Sequence, residues 1–350
     1  MLSLSPDPAI RHRPAPLRLI LPADAPEAAL PPVGVPVTRL SGQTMGTYWS
    51  VALVAPGGPP PLLLRRGIIA ILDDIVASMS HWDPASDLCR YNAAPRGWVA
   101  VDGGLAQVLE TALAVAADSG GAYDPAIGGL VDLWGFGPPG PVAAPPSAAA
   151  IAAALAAPRW NEIRVEPARL WQPGGVRLDL SAIAKGHAVD AVSRYLSDRG
   201  VTSHLVDIGG ELRGWGIKHD ANPWWVTLEQ PVGRDGRPGG ILTRIALHGW
   251  SVATSGDSRR FLMGPDGARL SHSLDPRTGR PVPDDLAAVT VLHRDCMMAD
   301  VLATALTVLG PRAGPDWAAA RGIMALFVLR EGRGLAERAT PALAALAETH

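Results

Sequence analysis

The sequence predicts an α+β fold in which helices pack on antiparallel or mixed sheets. Segments with the spacing of a strand and segments with the spacing of an amphipathic helix follow one another without a regular strand–helix–strand repeat. The 350 residues include 38 Gly and 34 Pro, which favours many turns and short elements over a helical bundle. Because 47% of the residues are hydrophobic and 18% are charged, the chain has enough apolar side chains for a large core.

Charge and cysteine content exclude several classes of protein. The formal net charge of −2 provides no basic field for nucleic acid or for an anionic membrane surface. Cys89 and Cys296 are too few for a disulfide framework or a four-thiolate zinc site. No transmembrane segment is predicted, because the longest apolar run, residues 148–157, is shorter than the roughly 20 residues of a span. The apolar residues 299–311 contain Asp300 and end at a Gly-Pro pair.

The first 36 residues are expected to form a flexible leader. They are rich in Pro and Ala and keep neither the period of a strand nor that of a helix. They also lack the apolar stretch of a signal peptide and a cysteine for lipid attachment, so a cytoplasmic location is expected. The folded domain is predicted to span residues 37–335, followed by a C-terminal tail of residues 336–350.

Local patterns predict the main elements along the chain. Apolar side chains recur at helical spacing or alternate loosely, and glycines or prolines follow most of these segments. Strands are predicted at residues 47–54, 176–180, 203–208 and 323–329. Helices are predicted at residues 62–80 and 105–119, then an Ala-rich helix directly after the low-complexity insertion 138–150, and then at residues 182–198 and 300–309. Ser181 stands at the expected N-cap position of the fourth of these helices.

Residues 128–137 place glycines on both sides of Trp134 and Phe136. Glycine would let the backbone approach a flat ligand closely at this point. The alternative is a glycine-rich turn whose two aromatic side chains are part of the core. The sequence leaves both interpretations open.

Asp179 and Lys185 flank a predicted strand-to-helix junction. The backbone N–H groups at the start of a helix favour an anion, and Lys185 would add a positive charge next to a phosphate. Lys185 is one of only two lysines in an arginine-rich chain, which suggests that a compact ammonium is needed there. The alternative is an ordinary capped helix with a solvated lysine.

Asp300 and Thr304 lie four residues apart in an apolar helix and therefore share one helix face. A carboxylate and a hydroxyl are hard oxygen ligands of the kind that Mg²⁺ takes, and a metal would partner a buried carboxylate. The alternative is an aspartate paired with an arginine and a threonine bonded to the helix backbone.

His272 precedes a turn signature at residues 275–279 and is a candidate general acid or base. A single histidine in such a segment also fits a purely structural role. The sequence contains no nucleophile elbow, P-loop or dinucleotide-binding fingerprint.

Taken in order, these segments resemble one family. The blocks that carry the resemblance are residues 44–47, 79–87, 123–137, 179–186, 206–211, 253–257, 272–279 and 296–306. They are similar to motifs of the FAD:protein FMN transferase family, also called ApbE-like, and the resemblance covers residues 38–330. It implies an ApbE-like α+β unit with a flavin cleft.

The resemblance also implies a reaction. The FMN moiety of FAD is expected to be transferred with Mg²⁺ onto a Thr or Ser hydroxyl of a partner flavoprotein, by a phosphoester bond and with release of AMP. The implied acceptor carries a Ser/Thr-Gly-Ala-Thr/Ser segment. Two alternatives stay open: an FAD pyrophosphatase that yields FMN and AMP, and a non-catalytic flavin-binding protein. Because many members are exported, the periplasmic side is the alternative location.

The motif positions imply roles for individual residues. Met45 and Trp82 would flank the isoalloxazine ring, with Trp82 where the family often has Tyr. Ala126 stands where the family commonly has Thr, which is expected to loosen a hydrogen bond near the nucleotide. His272 and Asp300 are the implied catalytic residues. The other implied contacts to FAD are Ala122, Tyr123, Asp124, Asp179, Lys185, His272 and Ser273, and the implied metal ligands are Asp300, Thr304 and the carbonyl of Ala182.

Overall fold

A large antiparallel sheet with helices on one face and a smaller sheet on the other organises the protein. This architecture comes from a computed structural model, which describes residues 17–22, 27, 30–32, 34–234, 236, 239, 241–256, 261–263 and 269–349. The predicted α+β class is confirmed.

The helices of the described residues are α1 (Pro61–Met79), α2 (Asp87–Ala93), α3 (Gly103–Asp118), α4 (Gly128–Leu133), α5 (Ala148–Leu155), α6 (Ala184–Asp198), α7 (Cys296–Ala320) and α8 (Pro341–Ala344), with a 3₁₀ turn at Trp160–Glu162. The predicted helices at residues 62–80 and 105–119 are thus confirmed as α1 and α3. Asp102 caps α3, since its carboxylate accepts the backbone N–H of Gly104.

The strands are β1 (Leu17–Ile20), β2 (Thr38–Thr44), β3 (Thr47–Val54), β4 (Gly97–Ala100), β5 (Arg164–Glu166), β6 (Arg169–Gln172), β7 (Ser203–Ile208), β8 (Glu211–Trp215), β9 (Trp224–Thr227), β10 (Leu242–Leu247), β11 (Trp250–Gly256), β12 (Phe261–Met263), β13 (Arg269–Ser271), β14 (Leu274–Asp275), β15 (Arg280–Pro281), β16 (Leu286–His293), β17 (Met324–Glu331), β18 (Gly334–Ala339) and β19 (Ala347–Thr349). The predicted strands at 47–54 and 203–208 are β3 and β7, and the strand predicted at 323–329 is β17.

The central sheet has eight antiparallel strands in the order β18-β17-β16-β11-β8-β7-β3-β2. A four-stranded sheet, β19-β1-β10-β9, lies on one of its faces. A three-stranded sheet, β4-β6-β5, and the pairs β12-β13 and β14-β15 complete the described strands.

Strand β3 shows how the central sheet is buried on both faces. Val51 and Leu53 join the main core with α1, α3, α6 and α7, whereas Ala52 and Val54 join a second core with β1, β9 and β10. Successive side chains of a strand point to opposite faces, so a continuous apolar run can fill two cores at once.

The chain ends differ from the expected leader and tail. Residues 1–16 lie outside the described part, but Leu17–Ile20 form strand β1, with Ile20 fully buried. This strand pairs in parallel with β10 and antiparallel with β19. The flexible leader predicted for residues 1–36 is therefore wrong at residues 17–20, and the predicted tail contributes β19 to the same sheet.

The junction before α6 also differs from the prediction. Residues 176–180 do not form a regular strand. Arg177 makes an isolated parallel bridge with Ile127, and the side-chain amide of Asn92 bonds both the N–H and the carbonyl of Leu178. Helix α6 begins at Ala184, after a turn, so Ser181 is not its N-cap. The Asp179 carboxylate instead accepts the backbone N–H of Ser181 at 2.7 Å.

Helix α7 contains the predicted helix at 300–309 and extends beyond it. Its backbone leaves the helical conformation at Gly310, before Pro311. Among the described residues, α7 is the one helix whose length and composition would allow it to cross a membrane. It packs against α6, β11 and β16, and 56% of its most apolar stretch is buried. The helix therefore belongs to the core of the fold.

Candidate functional site

The centre of the candidate site is the crossing of α6 and α7. Gly186 of α6 lies so close to α7 that an added Cβ would be 2.4 Å from the carbonyl oxygen of Cys296. Because the two helices are this close, the backbone N–H of Gly186 donates to Oδ2 of Asp300 at 3.0 Å. Asp190 of α6 also holds the two helices together, since its carboxylate accepts the N–H groups of Cys296 and Met297 at the start of α7.

Three charged side chains meet at this crossing. The Lys185 ammonium lies 2.5 Å from Oε1 of Glu211, at the start of β8, and 3.8 Å from Oδ1 of Asp300. Both carboxylates are buried, with 4% and 6% of Glu211 and Asp300 exposed. Lys185 is therefore held in an ion-pair cluster, and the alternative of an ordinary solvated lysine is wrong.

Burial and ion pairing act in opposite directions on the pKa values of this cluster. Burial raises the pKa of Glu211 and of Asp300, and the Lys185 ammonium opposes both increases. Burial acts to lower the pKa of Lys185, but the charges of Asp300 and Glu211 outweigh it and raise that pKa. Lys185 is thus fully charged, and two carboxylates share its one ammonium.

Tyr123, Asp124 and Asp179 extend the acidic region next to this cluster. Burial and then the charges of Asp179, Asp300 and Asp124 raise the pKa of Tyr123 well above its usual value. The Tyr123 hydroxyl is buried without a hydrogen-bond partner among the described residues. The structure therefore brings together Tyr123, Asp124, Asp179, Lys185 and Asp300, as the sequence motifs suggested.

Asp124 has its own cation. Its carboxylate accepts Nε of Arg159 at 2.8 Å and the backbone N–H of Ala126 at 2.8 Å. Burial nevertheless raises the pKa of Asp124 against these bonds. The bond from Ala126 to Asp124 comes from the backbone and so does not depend on a side-chain hydroxyl at position 126.

Ala122, just before this segment, is fully buried.

A cavity of about 290 Å³ opens beside Asp179. His81, Asn92, Asp132 and Arg177 contribute polar groups to its wall. The His81 ring nitrogen Nδ1 lies 3.9 Å from Oδ1 of Asp179, and Arg177 pairs with Asp132 at 2.7 Å. A pocket with a few convergent charged groups is suited to a polar ligand.

Met45, which is half-buried, and Trp82, which is exposed, are the two residues expected to flank the isoalloxazine ring. Met45 and Gly46 form the two-residue turn between β2 and β3, and both have a positive φ, 49° and 70°. A methionine in this conformation is unusual and often marks a functional turn. Trp82 is 54% exposed, and its ring centroid lies 5.3 Å from that of His81.

His272 and Ser273 lie between β13 and β14, and both are half-buried. The ring of His272 meets the edge of Phe136 at a centroid distance of 6.3 Å. Trp134 is buried in a small cluster with Leu130 and Leu274, and its indole N–H donates to the carbonyl of Gly279. Trp134 is thus a core residue that holds the loop of His272, and the roles of His272 and Ser273 stay predictions.

Gly128 does not serve the close approach of a flat ligand. An added Cβ at this position would lie 2.7 Å from the carbonyl oxygen of Arg177, so the glycine allows backbone to pack on backbone.

Asp257, at the end of one of the motif blocks, lies outside the described residues.

The predicted magnesium ligands are compatible with a cation in this place. Asp300 Oδ2 is occupied by the N–H of Gly186, whereas the polar contact recorded for Oδ1 among the described residues is the 3.8 Å approach of Lys185. Thr304 lies one turn further along α7, and Ala182 lies in the turn just before α6. The described residues contain no cluster of three or more His, Cys, Asp or Glu side chains suited to a metal, so backbone and hydroxyl oxygens would complete the ligand set. Two carboxylates share one ammonium here, and the Tyr123 hydroxyl and Glu211 Oε2 have no hydrogen-bond partner in the described part of the chain, which fits a cation or its bound water.

Sequence reasoning missed three site residues: His81, Arg159 and Glu211. His81 and Glu211 stand inside motif blocks, at residues 79–87 and 206–211, but neither block assigns them a role. No local pattern links Arg159 to Asp124. A glutamate directly after Gly209-Gly210, at the end of a motif block, was the signal available for Glu211.

Comparisons with known proteins point to one family. The sequence model of the ApbE family matches residues 45–327. A protein named FAD:protein FMN transferase from Vibrio cholerae serotype O1 is 35% identical over 305 residues, covering 86% of this chain and 90% of that protein. The protein of the same name from Escherichia coli K12 is 31% identical over 303 residues, 85% of each.

Solved structures show the same fold. The apo form of the flavinyl transferase ApbE from Pseudomonas stutzeri superposes with a TM-score of 0.82 at 38% identity, covering 89% of this chain and 96% of that one. The flavin transferase ApbE from Vibrio cholerae also gives 0.82, at 34% identity over 89% and 100% of the two chains. On sequence and structure together, the chain belongs to the ApbE family.

Proposed function

We propose that this protein transfers the FMN moiety of FAD to a Thr or Ser hydroxyl of a partner flavoprotein, in a Mg²⁺-dependent reaction that releases AMP. The observation that carries the proposal is the buried cluster of Lys185, Glu211 and Asp300 at the start of α6, in a chain of the ApbE family. The names of the relatives support FAD as donor and a protein as acceptor.

The proposed chemistry is an exchange of bonds at one phosphorus atom. The acceptor oxygen forms a bond to the phosphorus of the FMN half, and the bond from that phosphorus to the bridging oxygen breaks. AMP leaves with the bridging oxygen, and the hydroxyl proton passes to a base. Bound Mg²⁺ would neutralise charge on the diphosphate oxygens.

The residues of this chain bind and orient the diphosphate in this proposal. Asp300, Thr304 and the carbonyl of Ala182 would hold the metal ion. Lys185, charged because of its two carboxylate neighbours, would face a phosphate oxygen from the start of α6. Met45 and the exposed face of Trp82 would hold the isoalloxazine ring, to which a polarisable thioether and a flat aromatic side chain are suited.

His272 is proposed as the base for the acceptor hydroxyl. A threonine hydroxyl is a weak nucleophile at neutral pH, and an imidazole with an ordinary pKa of about 6.5 suits this proton transfer. Two contacts support this assignment: the His272 ring meets the edge of Phe136, and Trp134 anchors Gly279 at the end of the same segment.

The test is direct. Purified protein is incubated with FAD, Mg²⁺ and a candidate acceptor that carries a Ser/Thr-Gly-Ala-Thr/Ser segment, and the acceptor is weighed by intact mass spectrometry while AMP is followed by chromatography. The expected result is a mass gain of one FMN less one water, with AMP in equal amount. There are two controls. In one, the acceptor Thr or Ser of that segment is changed to Ala; in the other, EDTA is added to the reaction.

The alternatives give different results. Release of FMN and AMP at the same rate with or without acceptor would establish the pyrophosphatase instead. FAD binding with no AMP from any acceptor would favour the non-catalytic flavin-binding protein.

A further inference from the structure

The Glu211 side chain is placed where it controls the position of Lys185. It leaves the first residue of β8 and is 96% buried, and its Oε1 lies 2.5 Å from the ammonium. The same ammonium is 3.8 Å from Oδ1 of Asp300, beyond hydrogen-bonding distance. Lys185 is therefore bonded to Glu211 and kept short of a direct bond with Asp300.

This arrangement matters because the two oxygens of Asp300 are not equivalent. Oδ2 already accepts the backbone N–H of Gly186, so Oδ1 is the oxygen available to a cation. An ammonium bonded directly to Oδ1 would occupy that oxygen and cancel the charge that attracts a metal. Among the described ion pairs, Glu211 and Asp300 are the two carboxylates that Lys185 contacts.

We propose that Glu211 is a positioning residue that holds the Lys185 ammonium away from Asp300 Oδ1 and so keeps this oxygen available to a divalent cation. The inference rests on the proposed function, in which Asp300 holds the metal ion. Without the charge of Glu211, Asp300 becomes the remaining carboxylate partner of Lys185 among the described residues, and lysine and metal compete for it.

A direct ligand role for Glu211 is the competing explanation. Its Oε2 is buried without a hydrogen-bond partner among the described residues, so this oxygen would also suit a cation. The two explanations differ in whether Lys185 is needed for the effect of Glu211. If Glu211 acts by holding the lysine, removing the lysine removes the effect.

A double-mutant cycle on the full-length chain separates them. Glu211→Gln, Lys185→Met, the double variant and the wild type are titrated with Mn²⁺ in the presence of FAD, and free Mn²⁺ is measured by electron paramagnetic resonance. The melting temperature of each protein in EDTA shows whether the fold is retained. Glu211→Asp, made alone and together with Lys185→Met, is the second variant, because it keeps the charge but draws the carboxylate back from the lysine.

The proposal predicts about 10–100-fold weaker Mn²⁺ binding for Glu211→Gln, the scale seen when groups that orient a metal ligand are removed. In the Lys185→Met background the same change should alter the Kd by less than about threefold on the same scale. Glu211→Asp should weaken binding less than Glu211→Gln, and its effect should also disappear without Lys185.

Three results would overturn the proposal. An equal loss of affinity in both backgrounds would make Glu211 a metal ligand. If Glu211→Gln and Glu211→Asp both bound Mn²⁺ with wild-type affinity, Glu211 would have no role in metal binding, and the proposed function would be unaffected. A wild-type protein that binds no Mn²⁺ would contradict both the proposed metal site and the role of Glu211.

Discussion

Replacing Gly186 with alanine tests the crossing of α6 and α7 on which the candidate site depends. The added Cβ would lie 2.4 Å from the carbonyl oxygen of Cys296, about 1 Å short of the 3.4 Å at which ordinary contact begins. The next nearest atoms, the carbonyl carbon of Cys296 and the α-carbon of Met297, also belong to the backbone. No side chain can rotate away, so the helices themselves must separate.

The expected cost follows from this displacement. Overpacking of a well-packed interior typically costs about 1–3 kcal/mol, and the better helix propensity of alanine returns roughly 0.5–1 kcal/mol. We therefore expect Gly186→Ala to lower the free energy of unfolding by about 1–2 kcal/mol. A shift of about 1 Å would also break the 3.0 Å hydrogen bond from Gly186 to Asp300. A misplacement of that size can reduce turnover by about 10²-fold.

Urea unfolding and the transfer assay measure the two effects. Gly129→Ala in α4 is the matched control, because an added Cβ there meets no atom within 4 Å. The control should keep its activity and be unchanged or slightly more stable. If Gly186→Ala were as stable and as active as Gly129→Ala, the close crossing and its role in holding Asp300 would both be wrong.

Three further outcomes are expected. Asp300→Ala should abolish transfer and its dependence on Mg²⁺ concentration while circular dichroism in EDTA shows a retained fold; normal turnover with normal metal dependence would contradict the metal assignment. His272→Ala should lower kcat by about 10²-fold or more with a much smaller loss of FAD affinity, and weaker FAD binding with an unchanged kcat would instead indicate a positioning role. Burial lowers the pKa of His204 to about 4, so the unfolded chain binds more protons below pH 6.5 and stability is lost as the pH falls from there towards 4. The loss from His204 between pH 7 and 5 is about 2 kcal/mol, and urea unfolding of His204→Gln, compared with wild type at both pH values, should lack it.

Local patterns were sufficient for the elements that repeat one period over many residues. Strand β3 and helices α1 and α3 were predicted within one or two residues, because each presents a long apolar stripe to a core. The segment at 176–180 has the composition of a strand but pairs only through an isolated bridge between Arg177 and Ile127 among the described residues. The amide of Asn92 satisfies the backbone of Leu178 instead of a second strand, a contact between residues 86 positions apart.

The ends of the chain show the same limit. Strand β1 has only four residues, too few for a period to stand out in a segment rich in Pro and Ala. It is a strand because β10 and β19 lie on either side of it, and these partners come from the middle and the end of the chain. Backbone groups that are buried between neighbours must be paired, and no local pattern records which neighbours will be there.

The sequence by itself determined the family and most of the residue types at the site. Ordered motif blocks named Asp179, Lys185 and Asp300, because chemistry at a phosphate restricts which side chains can serve. Only the tertiary structure decided that Glu211 lies between these elements and takes the Lys185 ammonium at 2.5 Å. Ion pairing depends on distance and burial, and both arise when β8, α6 and α7 pack together and bring Lys185 to Glu211, 26 positions further along the chain. A motif can therefore name the charged groups of a site, but the fold decides which of them are paired.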